Sequence, residues 1–180
     1  VHSGASILFG AAAMDRGGGL EALAEDGDPS ELAQAVAASE VVTEDGVFNT
    51  PEGAGAPAPA FPGEAYVFTI TAMPGDRLSF ATMLVQSNDL FYAPAEGGMA
   101  LFELSGAPRS GDLTGMTLLW DAGTEANEFP GVGPHQAPRQ VGSDTGLDEG
   151  GTVRQVNDGY KYPDVNQIIR VTLNPISSGI

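Results

Sequence analysis

The sequence predicts an all-β fold of antiparallel strands, with short helices near its start and long loops, and three observations carry that expectation. The 180 residues include 25 Gly and 13 Pro, which punctuate the chain into short elements and leave room for few long helices. Apolar residues alternate strand-fashion through Tyr66, Phe68, Ile70 and Ala72 and again through Leu78, Phe80, Thr82 and Leu84. Between those runs, Met73-Pro74-Gly75-Asp76 has the chemistry of a tight turn, so the two read as one long central hairpin.

The length fits a single domain spanning 1–180 that can bury a sizeable core. Seven basic against 24 acidic residues give a net charge of -17, a field that repels nucleic acid and anionic lipid. No apolar run approaches 18 residues, so no membrane insertion is expected. The sequence begins at Val1 rather than Met, from which a removed signal peptide and a secreted, cell-surface or periplasmic location are expected. With no Cys, disulfide frameworks and zinc-thiolate sites are excluded.

Taken in order, residues 1–13 read as a short extended start, broken by Gly17-Gly18-Gly19. Residues 20–40 read as two short Ala-rich helices, the second opening near Asp28-Pro29-Ser30-Glu31 with Leu32 and Val36 inward. Each buries little, so a flap on a larger body is expected. A β-rich stretch at 41–48 and a Pro/Gly/Ala loop at 49–63 lead to the hairpin, which delivers Ser87-Asn88-Asp89 to one end of the sheet. Further strands are expected at 99–104, 116–120, 152–156 and 168–173, with a long acidic loop at 122–151.

Two acidic stretches follow apolar runs, where an unpartnered charge is expensive. They are Ser87-Asn88-Asp89-Leu90-Phe91 and Trp120-Asp121-Ala122-Gly123-Thr124-Glu125. Calcium takes 6 to 8 oxygens at flexible geometry, and Asp89, Asp121 and Glu125 are the best candidates to supply them. Solvated loop acids or turn caps are the other reading of the same residues. No EF-hand loop and no phosphate-cradling glycine motif is present. His2 and His135 are the only histidines and neither lies near a nucleophile-elbow motif, so both read as structural or exposed. Paired carboxylates could run glycoside hydrolysis, with Asp121 and Glu125 or Glu128 as acid and base, given a sugar cleft. Trp120 reads as core, while Phe91 and Tyr92 are the better candidates for an exposed aromatic pair.

The two acidic stretches together resemble the spondin N-terminal domain family, found in F-spondin, mindin and bacterial exported proteins. Ser87-Asn88-Asp89-Leu90-Phe91 is similar to the family's Ser-Asn-Asp-Trp-Phe element, with Leu90 in place of Trp. Trp120-Asp121-Ala122-Gly123-Thr124-Glu125 is similar to its Trp-Asp-Ala-Gly-Thr-Asp element, with Glu125 in place of Asp, and 134–139 resembles the Pro-rich stretch that follows. The resemblance implies a C2-like β-sandwich with calcium held by loops at one end. Its ligands would be Asp89, Asp121 and Glu125, helped by carbonyls or a hydroxyl near Ser87 or Thr124. It also implies adhesion or matrix binding rather than catalysis, with an extracellular protein, a glycan or copies of itself as partner. Family members have a strand before the position of Val1-His2, so an open sheet edge, and strand addition there, is expected. The alternatives are a surface-layer or filament subunit associating through sheet edges, and a polysaccharide-acting enzyme.

Overall fold

The computed structural model describes residues 1–176. Its elements, in chain order, are α1 (Leu20–Asp26), α2 (Ser30–Ala37), β1 (Arg77–Leu78), β2 (Thr82–Met83), β3 (Leu90–Pro94), β4 (Met99–Ala100), β5 (Gly111–Asp112), a 3-10 turn (Thr114–Met116), β6 (Thr117–Asp121), β7 (Arg154–Gln155), α3 (Val165–Ile168) and β8 (Thr172–Leu173). Its regular elements are thus mostly short strands in antiparallel sheets, with a few short helices. The largest sheet has the order β2-β3-β6-β7, and β1-β4 and β5-β8 form two-stranded ribbons.

At the centre, β3 pairs with β6 from Leu90↔Asp121 to Pro94↔Thr117. Every residue of β3 is buried, as a near-continuous apolar run predicts for a strand covered on both faces. Phe91 stands opposite Trp120, and Phe9 packs against both rings at centroid distances of 5.3 and 4.7 Å. Trp120 is core as expected, its indole N–H donating to the Ala93 carbonyl at 3.3 Å. Phe91 and Tyr92 are also fully enclosed, so the expected exposed aromatic pair is not formed. Position in the central strand overrides the polar neighbourhood of Asp89.

The expected hairpin between 66–72 and 78–85 is absent as a ladder. Its turn does form, with Asp76 N–H donating to the Met73 carbonyl at 2.9 Å and Met73 N–H to Asp76 Oδ2 at 2.8 Å. Beyond it the two segments part. β1 pairs with β4, and β2 pairs with β3 through Thr82↔Tyr92 and Met83↔Phe91. The connection between β2 and β3 is held at Ser87, whose hydroxyl donates to the Leu84 carbonyl at 2.6 Å and accepts from Leu90 N–H at 3.2 Å. Those bonds close a tight connection that joins β2 to the most buried strand of the molecule. Ser87→Ala is expected to lower stability by about 1 kcal/mol, the net worth of a hydrogen bond, read as a shifted denaturant midpoint at unchanged m-value.

The helices are more than a flap. Leu20, Leu23 and Ala24 of α1 and Leu32 of α2 share one buried cluster with Phe9, Phe91, Trp120 and Val153, and Val36 packs against it. The boundary of α1 follows from Gly27, whose φ of 74° supplies a left-handed C-cap with its N–H on the Leu23 carbonyl. The second helix starts at Ser30, where the sequence places it. Residues 41–48 contribute only a bridge at Val42, and the helical turn α3 occupies part of the expected last strand.

The start of the chain has partners on both sides. His2 exchanges backbone hydrogen bonds with Arg77 at 3.0 and 2.9 Å, and Thr43 N–H donates to the Val1 carbonyl at 2.9 Å. The His2 ring is buried, with Nε2 2.8 Å from Ser79 Oγ and Nδ1 accepting from Gly4 N–H. This histidine is structural. The expected open edge at Val1-His2 is therefore occupied by the chain itself.

Candidate metal centre

Antiparallel register brings the two acidic stretches together. Asp89 immediately precedes β3 and Asp121 is the last residue of β6, so both stand at the same end of the central pair, where Ala122 N–H extends the ladder to the Asp89 carbonyl at 3.1 Å. Asp89 and Asp121 are 0% exposed and Glu125 is 2% exposed.

Each carboxylate meets different surroundings. Asp89 Oδ2 accepts from Thr124 N–H at 2.9 Å and Glu125 N–H at 3.2 Å, while Oδ1 is buried with no hydrogen-bond partner among the described residues. Burial, and then the charge of Asp121, push the Asp89 carboxyl up to about 7, against the pull of those two amides. Asp121 Oδ1 accepts from Gly123 N–H at 2.7 Å, and Oδ2 from Asn127 at 2.8 Å and Arg154 at 2.9 Å. Burial still outweighs the Arg154 guanidinium and holds its carboxyl above the ordinary range. Glu125 Oε1 accepts from Gly146 N–H at 2.6 Å and Oε2 from the Asn88 amide at 3.1 Å. Gly123 is required at its turn, since φ is 75° and a Cβ would lie 2.7 Å from the backbone of Thr152.

A second set of acids, which sequence reasoning did not single out, adjoins the first. Glu21 and Glu25 lie one helical turn apart on α1, and their oxygens come within 4.8 Å of each other and of Asp144. These three carboxylates can hold a metal ion by position and charge. Glu25 is 2% exposed, and its carboxyl is pushed up to about 8 by burial, partly offset by the hydrogen bond from Thr124 and reinforced by the charges of Glu125, Glu21 and Asp89. The Thr124 hydroxyl is 2.7 Å from Glu25 Oε1 and 3.3 Å from Asp89 Oδ2. One hydroxyl proton cannot serve two ionised carboxylates, so this bridge is complete only when one carboxyl carries a proton or a cation replaces it. The sequence did carry a signal in the four-residue spacing of Glu21 and Glu25. What it lacked was the fold-back of Asp144, whose φ of 52° sits in the left-handed region that Asp tolerates.

Arg154 is the counter-charge at this end, bonding Glu149 at 2.7 and 2.9 Å as well as Asp121. Ser87, one candidate to complete a coordination shell, is instead committed to its turn. Glu128 lies to one side with His135, Nδ1 to Oε1 2.7 Å. Burial pushes the Glu128 carboxyl up, but the His135 backbone and ring outweigh it, so the carboxyl sits below its ordinary range.

The arrangement offers carboxylates and a hydroxyl, the hard oxygen donors suited to calcium or magnesium rather than to softer metals. Comparison of the chain with protein-family models, curated proteins and solved structures returns no match.

Proposed function

We propose that the chain is an exported, non-enzymatic module of the spondin N-terminal type, a calcium-binding β-sandwich serving adhesion or surface assembly. Asp89, Asp121 and Glu125 are the ligands that the resemblance implies, with Thr124 beside them. Among the described residues their oxygens do not gather within 4.8 Å of one another as those of Glu21, Glu25 and Asp144 do, so binding calcium would turn these side chains toward Asp89 Oδ1. The observation that carries the reading is Asp89 Oδ1, a buried carboxylate oxygen without a donor among the described residues, at the meeting point of two paired strands. A lone oxygen of that kind is costly to bury, and a divalent cation is the partner that also offsets the neighbouring acids. Arg154 alone does not neutralise the acids around it.

Support for the non-enzymatic part comes from the same residues. Asp121 and Glu125 are buried at 0% and 2% exposure, an arrangement unlike an acid and base facing an open sugar cleft. Loops ordered by the ion then present the binding surface to an extracellular protein or glycan.

Isothermal titration of the chelator-stripped protein tests the reading. Calcium is expected to bind in a saturable event that Asp89→Asn abolishes, with magnesium much weaker because it demands stricter geometry. Absence of calcium heat at millimolar concentration, or an unchanged isotherm in Asp89→Asn, overturns it.

A further inference from the structure

Residues 64–73 run without a turn or bend, and 66–72 make no backbone–backbone hydrogen bond among the described residues. Yet this is the stretch of strongest strand composition in the chain, rich in aromatic and β-branched residues. Burial alternates along part of it: Tyr66, Ile70 and Ala72 are partly covered, whereas Val67, Thr69 and Thr71 are exposed, Val67 by 67%. Phe68, itself 39% exposed, stacks on Phe48 at 3.9 Å. The segment has strand composition and no turn, and belongs to no ladder among the described residues.

Its two backbone edges are distinguishable. Thr71 N–H donates to the Glu44 carboxylate, so the edge formed by 67, 69 and 71 faces the chain's own body. Successive residues of a strand direct their N–H and C=O to opposite edges, which leaves those of Tyr66, Phe68, Ile70 and Ala72 on the outer edge. A free edge of this kind takes another strand.

Charge selects which strand. The molecule carries -17, so two copies repel over most approaches, but no charged residue occurs from Ala65 through Gly75. Along this edge two copies can meet without like charges opposed. We infer that residues 66–72 pair antiparallel with the same segment of a second copy, on a two-fold axis at Thr69. Bonding through the outer edge places Phe68 opposite Ile70 and Tyr66 opposite Ala72 as hydrogen-bonded pairs. Val67 then faces Thr71, and Thr69 faces its own symmetry mate, in the closer non-hydrogen-bonded positions. Aromatic–β-branched and Thr–Thr pairs are favourable cross-strand neighbours. A two-fold contact of this type is closed and yields a dimer rather than a fibre. The pairing names a partner for the surface-assembly reading above but does not depend on the cation.

The test uses sedimentation of the full chain, in chelator and in calcium, so that failure of the dimer and failure of the calcium site are read separately. A concentration-dependent dimer is expected in both. Thr69→Glu and Thr69→Lys should each be monomeric, because each opposes like charges at the axis, and an equimolar mixture of the two should regain the dimer. Thr69→Cys should oxidise to an interchain disulfide, since the chain has no other Cys, at least tenfold faster than Val67→Cys, whose sulfurs are offset across the axis. A monomer at every concentration overturns the inference, whether 66–72 stays open or is taken by a different partner. So does a dimer that survives Thr69→Glu, or one whose amides at Phe68 and Ile70 exchange as fast as in an unpaired strand.

Discussion

In chelator the protein is expected to lose stability as pH rises from about 5 toward 8, and calcium is expected to restore it. The sign follows from Glu25 and Asp89, whose carboxyls are pushed up to about 8 and about 7, chiefly by burial. A carboxyl with a raised value binds its proton more tightly in the folded chain than in the unfolded one. Its contribution to stability is complete below the unfolded value and is lost as pH climbs through the folded value. Glu128 acts in the opposite sense, since His135 holds it below its ordinary range, but that contribution changes only at the acid end of the scale. A bound divalent cation replaces the protons as the charge partner of these acids, so its stabilising effect should grow with pH. At a hundredfold excess over its dissociation constant it adds about 2.7 kcal/mol. For a domain of this size that is an increase in Tm of roughly 5 to 10 °C. Asp89→Asn keeps an oxygen to accept from the Thr124 and Glu125 amides while removing the charge. It should therefore reduce the pH dependence in chelator to the part that Glu25 carries, and abolish the calcium increment, both read by calorimetric melting. Melting temperatures that are independent of pH and of calcium in the parent chain would remove the cation from the account.

The end of the sheet was legible in the sequence because its determinants are local. Apolar runs beside Asp89 and Asp121 mark where strands meet acids, and the β6 strand falls at 117–121, within a residue of the run that predicts it. Antiparallel pairing then brings the two acids to one end. Strand choice was less legible: alternation predicts a strand at 66–72 and none at 90–94, which follows directly on Asp89 and is in fact the partner of β2. The Ser87 hydroxyl holds the connection between β2 and β3, through bonds that exist only once the turn is made. The carboxylates of Glu21, Glu25 and Asp144 were illegible for a related reason, since they come from a helix and a loop separated by more than a hundred residues and meet only in the folded chain. Short Ala-rich helices also gave a misleading estimate of burial. Area per helix is small, but Leu20 and Ala24 fall at the centre of the cluster rather than at its rim.

That last point has a large expected effect. Leu20→Ala should destabilise the protein by about 2 to 5 kcal/mol, the range for truncating a fully buried aliphatic side chain and leaving a cavity. A helix lying as a peripheral flap would instead lose no more than about 0.5 kcal/mol, as surface substitutions do. Leu20 is 0% exposed and shares its cluster with Phe9, Phe91 and Trp120. Combined with Phe91→Ala, itself worth about 3 to 5 kcal/mol, the effects should fall short of additivity, because both substitutions open the same cavity. Denaturant midpoints of the two single variants and the double variant measure this directly. The helix also carries Glu21 and Glu25, so loosening it should weaken calcium-dependent stabilisation if that cluster contributes to the ion's binding. The control is Glu31→Ala on α2, which removes an exposed charge without opening the core or touching the acid cluster. If Leu20→Ala melts with the parent chain, the helix returns to the role of a flap, and the contact between its acids and the 122–151 loop becomes incidental to the fold.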